Sequence, residues 1–200
     1  MNQGGDLNDP RSVEQVVIEI VARSLERTTD EVTLNSRFWG ELDAESLDML
    51  DIIYALERRF RIRMPRLNLL QRAVDLFGED VIIKGGIVTE RGIELMRVSM
   101  PEVPAEWMKP GMRIYDFRKV ITVGSFVRVV ERCLEAVDKL RCSRCGGQPE
   151  GVEMTLRCTG CGMPIELPSG EQLLVQDLRI YAQRLSPPLV EVQTGLRDEA

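Results

Sequence analysis

Leu42-Asp43-Ala44-Glu45-Ser46-Leu47-Asp48-Met49-Leu50-Asp51 is the stretch on which the reading of this chain turns. A polar run ends at Glu45. Beyond it Leu47, Leu50, Ile53, Tyr54, Leu56 and Phe60 recur at steps of one to four, which predicts a helix beginning near Ser46 with those residues as its apolar face. Pro65 stops any helix that reaches it. Each apolar side chain, if fully buried, contributes about 1.5–3 kcal/mol before the entropy of ordering it is subtracted. Ser46 itself stands at the head of the helix, where serine is a favoured N-cap.

On the N-terminal side, Val13, Val16, Val17, Ile20, Val21 and Leu25 predict an amphipathic helix over 12–27, capped by Ser12. A polar connection over 28–45 is anchored by Val32, Leu34, Phe38 and Leu42. On the other side, 67–77 reads as a short helix and Val81 to Val88 as a strand broken at Gly85-Gly86. Thr89 caps a helix through about Ser99 that Pro101 ends. The proline-spaced segment from Pro101 to Lys119 is irregular, with Trp107, Ile114, Tyr115 and Phe117 expected to pack. Thr122 caps a helix bearing Val123, Phe126, Val127, Val130, Cys133, Leu134 and Val137. A last amphipathic piece, from about Gly170 to Leu185, ends before Pro187-Pro188. Met1 to Pro10 and the final residues read as a disordered lead and a frayed tail.

Composition excludes several classes. The chain has 200 residues, 44% of them hydrophobic, and a net charge of −6, a poor balance for a protein that binds nucleic acid by bulk charge. No apolar stretch is long enough to span a bilayer and no signal peptide opens the chain, so the cytoplasm is the expected compartment. Histidine is absent, which removes the commonest general base and nitrogen ligand, and with them any Ser-His-Asp or Cys-His enzyme.

Cys142-Ser-Arg-Cys145-Gly146 and Cys158-Thr-Gly-Cys161-Gly162 form a pair of like motifs. Four thiolates at this spacing can close a tetrahedron around Zn²⁺, and a site without an open position is structural. Val152, Met154 and Leu156 alternate between the motifs as a strand does, and the segment 139–168 resembles a zinc ribbon. Disulfides, bare thiols or iron are the alternatives to zinc. Lys139, Arg141, Arg144 and Arg157 are nearly balanced by Glu150, Glu153 and Glu166, so protein docking or stabilisation suits the ribbon better than nucleic acid. Cys133, on the apolar face of its helix, reads as a small buried hydrophobe.

Glu45-Ser46-Leu47, with the run from Ser12 through Pro65 (the Glu31-Val32-Thr33 turn, Phe38, Leu56-Glu57, Phe60), resembles the acyl carrier protein family. Thr122-Val123, Phe126-Val127 and Val130-Glu131 resemble that family's last helix. The resemblance implies a carrier and not an enzyme. It implies 4′-phosphopantetheine on Ser46, acyl groups held as thioesters, and as partners a phosphopantetheinyl transferase and acyl-transfer or condensing enzymes of fatty-acid, polyketide or related biosynthesis. A phosphodiester at a helix N-terminus lies in a favourable field. Ser46 can serve as cap and attachment point at once, or as cap alone. Glu45 stands where the family usually has aspartate, and Arg58, Arg59, Arg61 and Arg63 follow a helix whose acids are Asp48, Asp51 and Glu57. Glu45, Leu47, Asp48, Asp51, Glu57, Arg58 and Arg59 are the expected partner-recognition residues.

The expected fold is therefore mainly α. A carrier-like helical bundle over 11–138 is interrupted by a small α+β insertion at 66–118, then followed by a β zinc ribbon at 139–168 and a C-terminal helix and tail at 169–200. The insertion either caps the bundle near the cargo or is a satellite that merely packs. The competing functional reading is an unmodified adaptor on a carrier fold, binding partner proteins through the insertion and the ribbon.

Overall fold

The computed structural model describes residues 11–66, 69–152 and 155–192. The expected lead Met1–Pro10, the helix start at Leu67, the Met154 position in the ribbon and the end of the tail lie outside the described residues. The chain is mainly helical and divides into two units, one of residues up to Pro65 with Thr122–Leu173, the other of Arg66–Ile121 with the residues from Leu174 on.

The first unit contains α1 (Val13–Ser24), α2 (Ser46–Phe60) and α6 (Val123–Asp138), with α1 packed on both of the others. Local chemistry sets their starts. Ser12 accepts from the Gln15 N–H and the Gln15 side chain reaches back to the Ser12 N–H, two orphan donors satisfied reciprocally. Thr122 and Ser125 repeat the arrangement at α6, here buried. Val17, Val21, Phe38, Ile52, Leu56, Val123 and Val130 make the centre of the core, and Phe38 meets Phe126 at 4.8 Å between ring centroids. The connection from α1 to α2 is irregular but anchored: Val32, Phe38, Leu42 and Ala44 are buried along it. Its residues also receive the far chain, for Val123 N–H donates to the Ser36 carbonyl and Gly124 N–H to that of Leu34.

α2 differs from expectation on two points. Ser46 is its first helical residue, not its cap; the cap position is Glu45, whose N–H donates to Asp48 Oδ2 at 2.7 Å. The helix also buries Met49, Ile52, Leu56 and Phe60, whereas Leu47, Leu50 and Tyr54 are 72%, 55% and 58% exposed. The apolar face expected of Leu47, Leu50 and Tyr54 points outward, because α1 and α6 cover the other side.

After α6 comes a three-stranded antiparallel sheet of β3 (Pro149–Val152), β4 (Thr155–Cys158) and β5 (Pro164–Ile165), with Pro149 opposite Cys158 and Leu156 opposite Ile165. This sheet groups with the bundle rather than standing apart. α7 (Gly170–Arg184) follows.

In the second unit α3 (Leu69–Phe77) leads to α4 (Glu79–Ile82), then to a hairpin of β1 (Ile83–Lys84) and β2 (Ile87–Val88) turning at Gly85-Gly86, and to α5 (Glu90–Ser99). The stretch expected as one broken strand is thus a helical turn plus a hairpin. Thr89 caps α5 through the Gly92 N–H. Gly92 is required by packing: a Cβ would lie 2.5 Å from the Ile82 carbonyl oxygen. The segment expected to be irregular contains 3-10 turns at Ala105–Trp107 and Ile114–Val120. Phe117 is buried there, but Ile114 and Tyr115 are exposed. Phe77, Ile93, Leu95, Met96 and Met108 form this unit's core with Leu178 and Ala182 of α7 and Leu185 just after it.

Candidate functional site

The turn before α2 is built to present Ser46. Ala44 N–H donates to the Phe38 carbonyl and Leu42 N–H to that of Arg37, while the Leu42 and Ala44 side chains are buried. Arg27, in the connection just after α1, donates to the Leu42 carbonyl at 3.1 Å and lies 3.6 Å from the Asp43 carboxylate. The turn is therefore gripped from inside, and Glu45 and Ser46 are left exposed at its tip.

Among the described residues nothing hydrogen-bonds the Ser46 hydroxyl. The first intrahelical bond of α2 runs from Met49 N–H to the Glu45 carbonyl, so the N–H groups of Ser46 and Leu47 precede it. An exposed hydroxyl free of partners, at the positive end of a helix dipole, fits a phosphodiester.

The outward strip of α2 runs from that serine. Leu47, Asp51, Tyr54 and Arg58 fall on one side by the helical period. Leu50 lies beside them, and the Arg58 guanidinium sits 5.7 Å from the Tyr54 ring centroid. Glu45 and Asp51 are exposed and Asp48 half-buried, so the end near Ser46 is acidic. Arg58 is exposed and Arg59, half-buried, lies over the Phe60 ring, so the far end is basic. Glu57 is turned elsewhere: its Oε1 accepts the Met64 N–H at 2.9 Å.

The cysteine motifs meet. Cys142, Cys145, Cys158 and Cys161 bring their sulfurs within 4.8 Å of one another, with Cys142–Cys161 at 3.6 Å and Cys145–Cys158 at 3.3 Å. Zn–S bonds of about 2.3 Å in a tetrahedron require sulfurs about 3.8 Å apart, which this cluster brackets. All these cysteines are free of disulfides. The motifs are built alike. Gly146 N–H donates to the Cys142 carbonyl and Gly162 N–H to that of Cys158. Cys142 N–H donates to the Gly147 carbonyl and Cys158 N–H to that of Met163. Gly146 and Gly162 adopt φ of 72° and 69°, where a side chain is strained.

Backbone crowds the sulfurs closely enough that a Cβ on Gly147 would lie 2.6 Å from Cys158 Sγ. The thiols influence one another strongly. Burial opposes ionisation of Cys158, but the Cys161 N–H, the Cys145 thiol and the Gly160 N–H outweigh it and bring the group down to about 6. At Cys145 the Gly147 N–H favours the thiolate, but the Cys158 and Cys161 sulfurs outweigh it and push the group up to about 12. A divalent cation would hold all four as thiolates at once, and an all-thiolate, closed donor set is suited to zinc in a structural role.

Two features of the site were not anticipated from sequence. Leu50 and Tyr54 belong to the outward strip, and Gly147 and Gly160 line the cysteine cluster. The glycines carried a readable signal in their position beside or between the cysteines; the strip did not.

Residues 15–74 match the family described as "Phosphopantetheine attachment site". The chain is 33% identical over 72 residues to an acyl carrier protein of Petrotoga mobilis, covering 34% of this chain and 85% of that protein. It is 39% identical over 49 residues to acyl carrier proteins of Borrelia garinii subsp. bavariensis and of Borreliella burgdorferi, covering 24% of this chain and 61% of theirs. The chain thus spans 61% of the length of these latter relatives. No solved structure matches it. None of the helices among the described residues is long and apolar enough to cross a membrane.

Proposed function

Because the chain belongs to the acyl carrier protein family, a class of non-catalytic carriers, we propose that Ser46 bears 4′-phosphopantetheine and that the protein carries acyl groups for fatty-acid, polyketide or related biosynthesis. The observation that carries this reading is the exposed Ser46 hydroxyl, without a hydrogen-bond partner among the described residues, in the first turn of α2 and inside the matched segment. When bound, the arm supplies a terminal thiol on which acyl groups travel as thioesters. The contribution of this chain is to present the serine on a gripped turn and to offer its helix to partners.

Those partners are a phosphopantetheinyl transferase and acyl-transfer or condensing enzymes. The docking surface is the outward strip of α2, an apolar line of Leu47, Leu50 and Tyr54 with acids Glu45, Asp48 and Asp51 at one end. Arg58 and Arg59 lie about 18–20 Å along the helix from Ser46. A partner fitting it is basic near Ser46 and acidic at the far end. Glu57 contributes by fixing the end of the strip. The Cys142, Cys145, Cys158 and Cys161 cluster holds a structural Zn²⁺. A cytoplasmic, reducing setting keeps those thiols available.

Incubation with a promiscuous phosphopantetheinyl transferase, Mg²⁺ and coenzyme A tests the attachment by intact mass. Wild type gains the arm and Ser46→Ala does not. No gain on wild type would replace the carrier with an adaptor that works through the insertion and the ribbon. Reversal of Arg58 and Arg59 to Glu slows acyl transfer with native partners; unchanged transfer would remove the basic end from the docking surface.

A further inference from the structure

The exit of α2, residues 63–65, is held from both sides of the ribbon. On the N-terminal side, Cys133 of α6 donates its thiol to the Arg63 carbonyl at 3.6 Å. On the C-terminal side, α7 begins at Gly170 in extreme proximity. A Cβ there would lie 2.5 Å from the Arg63 oxygen, 2.5 Å from the Met64 carbonyl carbon and 2.3 Å from the Pro65 nitrogen. α2 grips the same loop itself, through Glu57 and the Met64 N–H, and the Met64 side chain is buried.

The segment joining the end of α6 to the start of α7 is the cysteine ribbon. Its own core among the described residues consists of buried Cys142, Cys158 and Ile165, with Leu140, Leu156, Cys161 and Met163 partly buried around them. That is too little apolar burial to order a segment of this length alone. Metal binding in such a segment is folding free energy.

We propose that the ribbon is a metal-operated clasp on the exit of α2. With Zn²⁺ on the four cysteines, α6 and α7 close on Arg63–Pro65 and fix the end of α2 that carries Arg58 and Arg59. Without it, the ribbon unfolds, Gly170 leaves its seat, and the exit loop and the start of α7 open together. α7 also supplies Leu178 and Ala182 to the core of the second unit, with Leu185 just beyond its end, so its loosening extends there. α1, held by the burial of Val16, Val17 and Val21, keeps its structure. The basic end of the docking strip is then set only in the metal-loaded protein, and docking follows zinc supply. The inference rests on the metal reading of the cysteine cluster given above.

Hydrogen exchange on the full chain tests it, as purified and after zinc removal with EDTA under reducing conditions, with zinc measured on both samples. The expected result is stoichiometric zinc in the first sample. On removal, amides of the ribbon, of 57–66 and of 170–185 exchange on the order of tenfold faster or more, while those of α1 keep their rates. Added zinc restores protection. Absence of zinc from the purified protein overturns both the metal reading and the clasp. Zinc present, with acceleration confined to the ribbon, overturns the clasp alone. Gly170→Val approaches the coupling from the other end with all four cysteines intact. It is expected to speed exchange over 57–66 and to weaken zinc in competition with a chelator, as reciprocal linkage requires. A variant unchanged in both overturns the proposal.

Discussion

The bundle and the ribbon lie in one unit of the same chain yet are held by different forces. The bundle is stabilised by ordinary apolar burial: Val17, Phe38, Ile52, Leu56 and Val123 are fully enclosed, and its helices start on side-chain caps. In the ribbon two of the three buried residues of the local core are themselves cysteines of the candidate metal site. The difference teaches where each region is vulnerable. One is weakened by cavities and the other, on the metal reading proposed above, by loss of a cation.

The sharpest break of this contrast is metal removal. Chelation, or Cys142→Ser, is expected to forfeit on the order of 10 kcal/mol or more of metal-linked folding free energy in the ribbon. Zinc content and strand-amide protection report it. Acidification acts in the same direction, since protons compete with the metal for thiolates. Phe38→Ala is the counterpart in the bundle. It leaves a cavity beside Phe126 and is expected to cost about 3–5 kcal/mol in urea unfolding with zinc retained. Zinc loss in that variant would deny the two regions separate supports.

Thr122→Ala removes a buried cap from α6 and is expected to cost about 0.5–2 kcal/mol by the same measurement. The smallest effect concerns Glu41. The Arg37 backbone N–H, at 2.9 Å, holds its carboxyl below the usual 4.5, and the Arg37 guanidinium adds to this. A folded value below the unfolded one gives stability that is present above the unfolded value and is lost as pH falls through the folded one. The carboxyl is largely exposed, so the contribution is under about 1 kcal/mol. Glu41→Gln should flatten that portion of the stability–pH curve while leaving the neutral-pH zinc content unchanged.

The legible parts of the fold were those fixed by near neighbours. Ser12, Thr89 and Thr122 read as caps because their partners lie three residues on. The cysteine spacing led to a real cluster because each tight turn brings its own pair together. The misread parts depend on what arrives from far away. α2 has apolar residues on more than one side, and periodicity cannot tell which side is covered until α1 and α6 are in position. Ser46 was readable as a cap because serine caps helices well. It is the first helical residue because Asp48 reaches back to the Glu45 N–H instead. The turn Glu79–Ile82 hid among β-branched residues that suit a strand equally well.

The split course of α7 sets the terms on which this chain can be shortened. The stretch 66–121 leaves the bundle after Pro65 and returns to it at Thr122, so a cut at those points would look harmless to a protein engineer. It is not, because Leu178, Ala182 and Leu185 would then present a bare apolar flank to water. A soluble minimal carrier must drop 66–121 and the chain beyond Leu173 together, because each supplies the other's apolar cover.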